Sequence, residues 1–107
     1  MVDIVQEQTT LTEITRREVD LYAGNSDLAR FIPIFDEQNL IFAVVVIEND
    51  PKARPAYVNI MARVVGDYIV IEEDYNLDKP LLEALMVNGH VPREKIILAH
   101  KGEKLPE

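Results

Sequence analysis

From Leu28 onward the hydrophobic positions fall into short β-type runs separated by polar links. Leu28 to Phe35 (LARFIPIF) alternates and predicts a strand. Leu28, Arg30, Ile32 and Ile34 point one way, and Ala29, Phe31, Pro33 and Phe35 the other. Pro33 has no N–H for a ladder, so the strand belongs at an edge or turns that position outward. Asp36 to Asn39 is a polar link of hairpin length. Leu40 to Ile47 (LIFAVVVI) is a continuous apolar run rich in β-branched residues, the pattern of a central strand covered on both faces. Glu48 to Pro55 holds Asn-Asp-Pro and a further Pro, and reads as a loop. Ala56 to Val65 alternates again, with Val58, Ile60, Ala62 and Val64 as its core face and Tyr57, Asn59, Met61 and Arg63 opposite. Gly66-Asp67 is a two-residue hairpin signal, and Tyr68 to Glu72 is the next strand. Parallel pairs need long crossovers and these links are short, so the middle of the chain predicts an antiparallel meander.

The period then changes. Glu73 to Asp78 is an acidic turn, and Asp78 is placed to cap a following helix. Pro80 falls in the first helical turn, where a missing N–H is harmless. Leu81, Leu82, Leu85 and Met86 recur at three- and four-residue spacing as one apolar stripe. Gly89 supplies the left-handed residue that ends a helix of about three turns. Pro92-Arg93-Glu94 makes a short further turn, Lys95 to Ala99 the last strand, and 100–107 a polar tail where order ends. Residues 1–27 are weakly patterned: 1–12 reads as an irregular lead-in, and Thr12 to Tyr22 fits either a short helix or a strand. The expected architecture is α+β, an antiparallel meander with a C-terminal helix on one face and a final strand. It forms a single domain over 1–107 with its core in 28–99.

Composition narrows the chemistry. Hydrophobic residues make up 48% of 107, enough for one core. There is no Cys, which removes disulfides, thiolate nucleophiles and Cys-based zinc sites. No apolar run approaches the roughly 20 residues of a membrane span, and the first residues lack a basic signal region. The expectation is a soluble cytoplasmic protein. The formal net charge is −8, with scattered basic residues, which argues against direct nucleic-acid binding and for a basic protein partner. The four glycines are isolated, so no phosphate loop exists, and the one Ser (Ser26) has no His near it in sequence. The expectation is no enzyme, no cofactor and no metal. Glu72, Glu73 and Asp74, flanked by Tyr68 and Tyr75, form the densest acidic and aromatic segment. They are the candidate partner-binding residues, while Gly66, Asp78, Pro80, Gly89 and Pro92 are structural. His90 and His100 are too few for a zinc site.

One segment carries a family likeness. VVGDYIVIEED, then DKPLLEALMVNG, then VPREKIILAHKGE resembles the C-terminal half of the XisI family. The match is carried by Gly89, Val91, Pro92, Arg93, Glu94, Ile96, Ile97 and Leu98, with an upstream Ile34-Phe35-Asp36 hairpin. His90 stands as an extra residue inside the family's Gly-Val-Pro step, and the family's frequent Trp is missing. The resemblance implies an accessory, non-enzymatic role in controlling site-specific excision of a DNA element, as in the cyanobacterial proteins of that family. It implies a protein partner, an XisH-type protein or other recombination machinery. An antitoxin or nuclease inhibitor is the alternative, and a direct DNA-binding protein the second alternative. A homodimer, paired through edge strands, is the default oligomer.

Overall fold

In the computed structural model of this chain, residues 4–50, 52–76 and 78–106 are described. The start of the expected lead-in (1–3), Pro51 of the expected loop, Leu77 of the acidic turn and Glu107 of the tail lie outside the described residues.

Helix α1, Ile4–Asp20, takes up most of the stretch expected to be irregular. It also decides the helix-or-strand choice after Thr12 in favour of helix. Its inward stripe is Leu11, Ile14, Thr15, Glu18 and Val19, prolonged by Tyr22 in the turn that follows. The spacing is helical, but two of the buried members are polar. Thr15 is satisfied by donating its hydroxyl to the Leu11 carbonyl at 2.7 Å. Glu18 accepts from Arg17 Nε at 3.1 Å and Asn88 Nδ2 at 3.3 Å. A stripe interrupted by Thr and Glu has a helical geometry without a helical hydropathy, which is why the pattern was weak.

Strands β1 (Gly24–Asn25), β2 (Ala29–Asp36), β3 (Ile41–Glu48), β4 (Tyr57–Val65) and β5 (Tyr68–Asp74) follow in order and pair antiparallel with their neighbours. Strand β6 (Ile96–Leu98) joins β5 in parallel after a crossover through helix α2 (Leu81–Val87). The sheet order is therefore the sequence order. Pro33 behaves as its chemistry requires. The Ala29 carbonyl accepts from Ser26 on the outer side of β2, so Pro33 also turns its nitrogen outward, past the end of the two-residue β1. The β2–β3 link is fastened by Asp36, whose carboxylate accepts from the Gln38 and Asn39 amides at 3.0 Å each. Gly66 takes φ +60 in the β4–β5 turn, as expected of it.

Two register shifts alter the expected facing. In β4 the pairing steps from Val44↔Ile60 to Val45↔Val58, leaving Asn59 as the extra residue of a bulge. Ile60, Ala62 and Val64 face the core as expected, but Val58 does not. It shares the opposite face with Val45, and Asn59 is buried in its place. A second shift, at Met61/Ala62, makes Glu72 the extra residue and lets β5 run on to Asp74. Glu73 and Asp74 are thus strand residues, not the start of a turn.

The core lies on one face only. Phe42, Val44, Ile60, Ala62, Ile69, Ile71, Ile96 and Leu98 pack with Leu11 and Val19 of α1 and Leu81 and Leu85 of α2 in one cluster. The residues alternating with them, among them Ile34, Val45, Met61 and Val70, are outside that cluster. β3 was expected to be covered on both faces; within this chain the helices cover one.

Around α2 the structural residues take different duties from those expected. Asp78 is exposed, and the first helical N–H, that of Leu81, goes instead to Asp74 Oδ2 at 2.8 Å. Pro80 is the residue before the helix, and its carbonyl accepts from Ala84 at 3.1 Å. The helix spans seven residues, shorter than expected; Leu81, Ala84 and Leu85 are buried, while Met86 is exposed. The left-handed residue after it is His90 (φ 56), not Gly89. Val91 N–H reaches back to the Leu85 carbonyl at 3.0 Å, closing the helix end. Gly89 is required for another reason. A Cβ there would lie 2.7 Å from both Ile14 Cγ2 and the Leu85 carbonyl oxygen, so glycine is what lets α1 and α2 touch. Pro92 precedes a 3-10 turn at Arg93–Lys95, as expected.

The tail does not leave order at residue 100. A 3-10 turn at Ala99–Lys101 is followed by Gly102 with φ 91. Glu103 then accepts from the Leu98 amide at 2.9 Å and Arg93 Nη2 at 2.7 Å. Those bonds hold the Glu103 carboxyl below its usual range. A polar segment is ordered here because its polar atoms are partners for a short edge strand.

Candidate interaction site

The five candidate partner-binding residues do not form one patch. Tyr68 and Tyr75 mark the two ends of β5, which at ~3.3 Å per residue places them about 23 Å apart. Tyr68 lies beside Lys95, whose ammonium is 5.6 Å from the ring centroid and also donates to Asp67 at 2.7 Å. Glu72 is bonded to Arg63 Nε at 2.6 Å, on the face without helices. Glu73 faces the same way, opposite Met61. Asp74 faces the helices, and Tyr75 is exposed. Strand alternation with one bulge splits what is contiguous in sequence.

Asp74 is the chemically loaded member. It sits at the end of β5 under the start of α2, with Oδ2 capping Leu81 and Oδ1 buried without a partner. Burial pushes its carboxyl up; the Leu81 amide and the charge of His100 oppose that. His100 is positioned by its Nδ1, 3.2 Å from the Ile71 carbonyl. On the other side stands Tyr22, whose hydroxyl donates to the Lys79 carbonyl at 2.5 Å. Burial first, then Asp74, Glu18 and Glu83, push the Tyr22 phenol up to about 12. The phenol is therefore a neutral hydrogen-bond donor at all ordinary pH.

These residues join the end of α1 to the loop before α2. Beside them lies an open groove of about 360 Å³, with Tyr22, Gly24, Phe31, Asn76, Asp78 and Lys79 among its lining. Sequence reasoning missed Tyr22, Glu18, Glu103 and the capping role of Asp74. Only the 11-14-15-18-19-22 spacing could have pointed to the first two. No group of three or more His, Cys, Asp or Glu side chains is arranged to hold a metal among the described residues. No helix among them is long and apolar enough to cross a membrane. The corner presents an exposed Tyr75, the exposed Asp78 carboxylate and an open groove.

An α+β architecture with one six-stranded mixed sheet, a long N-terminal helix and a short crossover helix defines the class, and it is the XisI-like fold. A crystal structure of a XisI-like protein from Anabaena variabilis ATCC 29413 matches with a TM-score of 0.64 and 18% identity, over 90% of this chain and 85% of that one. The crystal structure of the fdxN element excision controlling factor XisI from the same organism matches with a TM-score of 0.59 and 26% identity, over 90% of this chain and 91% of that one. No family model matches the chain, and no curated relative does. With the C-terminal motif, these likenesses support membership of the XisI family.

Proposed function

We propose that this protein is a non-enzymatic controlling factor for excision of a DNA element, acting by binding a DNA-acting protein such as an XisH-type protein. The observation that carries this reading is the end-to-end likeness to the solved XisI, whose name is that of an excision controlling factor. The net charge of −8 and the dispersal of basic side chains favour contact with a protein over contact with DNA. The corner of Tyr75 and Asp78 near the groove is the surface assigned to that partner. An exposed tyrosine near a carboxylate fits a basic, partly apolar protein patch.

The test is co-purification with an XisH-type protein, using wild type and Tyr75→Ala. Binding by wild type and loss in the variant supports the reading; no binding by folded wild type removes it. A DNA gel shift at two salt concentrations is the companion measurement. A complex that weakens steeply with salt would mean phosphate contacts and would favour direct DNA binding instead.

A further inference from the structure

We propose that the helix-free face of the sheet is a homodimer interface, on which a second copy of this chain packs sheet to sheet. The inference does not depend on the excision reading. It starts from an alternation that is broken in one specific way. An antiparallel sheet with one solvated face places polar residues at every second position. Here those positions are aliphatic and only partly covered in three long strands: Ile32 and Ile34 in β2, Val45 in β3 and Met61 in β4, while Val70 of β5, on the same face, is already buried within the chain. Ile34 is 54% exposed. None of these residues belongs to the core cluster under the helices. The uninterrupted apolar run of β3 has the composition of a strand buried on both faces, and this chain covers only one.

Charge selects the occupant. The chain carries −8, so a second copy is repelled by most of its surface. This face is the exception. Along the long strands it holds Arg30 and Arg63 against Glu72 and Glu73, with Asp36 at its end occupied by its own turn. Arg63 and Glu72 already neutralise each other at 2.6 Å. A surface shaped for a basic partner would be acidic here; a surface that meets itself across a two-fold axis must be close to neutral. Homodimer interfaces are also the more apolar class.

The area is adequate. Strands of seven to nine residues at ~3.3 Å per residue, four of them ~4.8 Å apart, project to about 500 Å² before side-chain relief is added. That relief brings the accessible surface to the order of the roughly 800 Å² per partner of a standard interface. Face-to-face packing of two twisted sheets is itself a stable arrangement.

The experiment is sedimentation equilibrium across the micromolar range on wild type, Ile34→Glu and Met61→Glu, with circular dichroism confirming that each is folded. Ile34 is exposed enough that its replacement leaves the monomer intact, so loss of association there is not loss of fold. The expected result is a wild-type mass of twice 12.2 kDa and a dimer at least ten times weaker in each variant. A wild type that stays monomeric throughout overturns the proposal. So does a dimer unchanged in both variants, because pairing would then run through a strand edge. The chain has no cysteine of its own, so Ile34→Cys also gives a single labelling site. A short distance between two spin labels on it supports the sheet-to-sheet dimer, and labels far apart in a dimer refute it.

Discussion

The two faces of one sheet are built from similar residues and do different things. On the covered face, Phe42, Ile60, Ile69 and Ile71 are fully buried against α1 and α2. On the open face, Ile34, Val45 and Met61 are held in place by their strands but lack a second layer. Hydrophobicity alone cannot tell these faces apart. What separates them is which one the helices reach, and the helices reach only one because of particular contacts at Gly89, Glu18 and Asp74. Most of the buried apolar surface therefore lies on one face, while Ile34, Val45 and Met61 on the other stay partly exposed.

The largest effect expected on this contrast is from Phe42→Ala. The ring is fully buried and meets Phe35 edge-on at a centroid distance of 5.4 Å, so its loss should cost ~3–5 kcal/mol in chemical denaturation. Ile34→Ala, measured on dilute protein, should cost under about 1 kcal/mol. Equal losses at the two positions would abolish the distinction between the faces. Next is Gly89→Ala, which forces a methyl group to 2.7 Å from Ile14 and the Leu85 carbonyl. It should cost about 1–3 kcal/mol, and a neutral result would mean that α1 and α2 are not in close contact.

Asp74 sharpens the comparison at the helix corner. Asp74→Ala removes the acceptor for Leu81 and should cost about 1 kcal/mol, whereas Asp74→Asn keeps an acceptor and removes a charge that burial disfavours. Asp74→Asn should thus be at least as stable as wild type at neutral pH. Because the folded-state carboxyl of Asp74 is raised, its contribution to wild-type stability is present below the ordinary aspartate range and is lost as pH rises through the folded value. The gap between wild type and Asp74→Asn should therefore close on acidification, as thermal melts across that range would show. A gap that widened instead would contradict the direction assigned to Asp74. His90→Gly relieves a left-handed backbone and should add about 1 kcal/mol. The smallest effect is Glu73→Lys on the open face, expected within about 0.5 kcal/mol of wild type. A double reversal with Asp74→Lys would confuse partner binding with loss of the helix cap.

Much of the fold was legible because it rests on local rules. The four long strands, the Asp36 and Gly66 turns, the outward-facing Pro33 and the helix–turn–strand ending all follow from residue types whose backbone preferences act within a few positions. Less of the candidate site was legible. The acidic segment read as one cluster, yet strand alternation sends Asp74 to the helices and Glu73 away from them. The bulges at Asn59 and Glu72, which set that alternation, arise from pairing across strands.

By itself, then, the sequence determined where strands begin and turn, that a helix and a last strand follow the meander, and that the surface is acidic. Only the tertiary structure decided that α1 is a helix with Thr15 and Glu18 turned inward, since those polar groups become acceptable once Leu11, Arg17 and Asn88 supply partners. It also decided that Gly89 serves contact and His90 the turn, and that one apolar face carries no helices. Each of these depends on the distance between segments far apart in the chain, and no local preference encodes that.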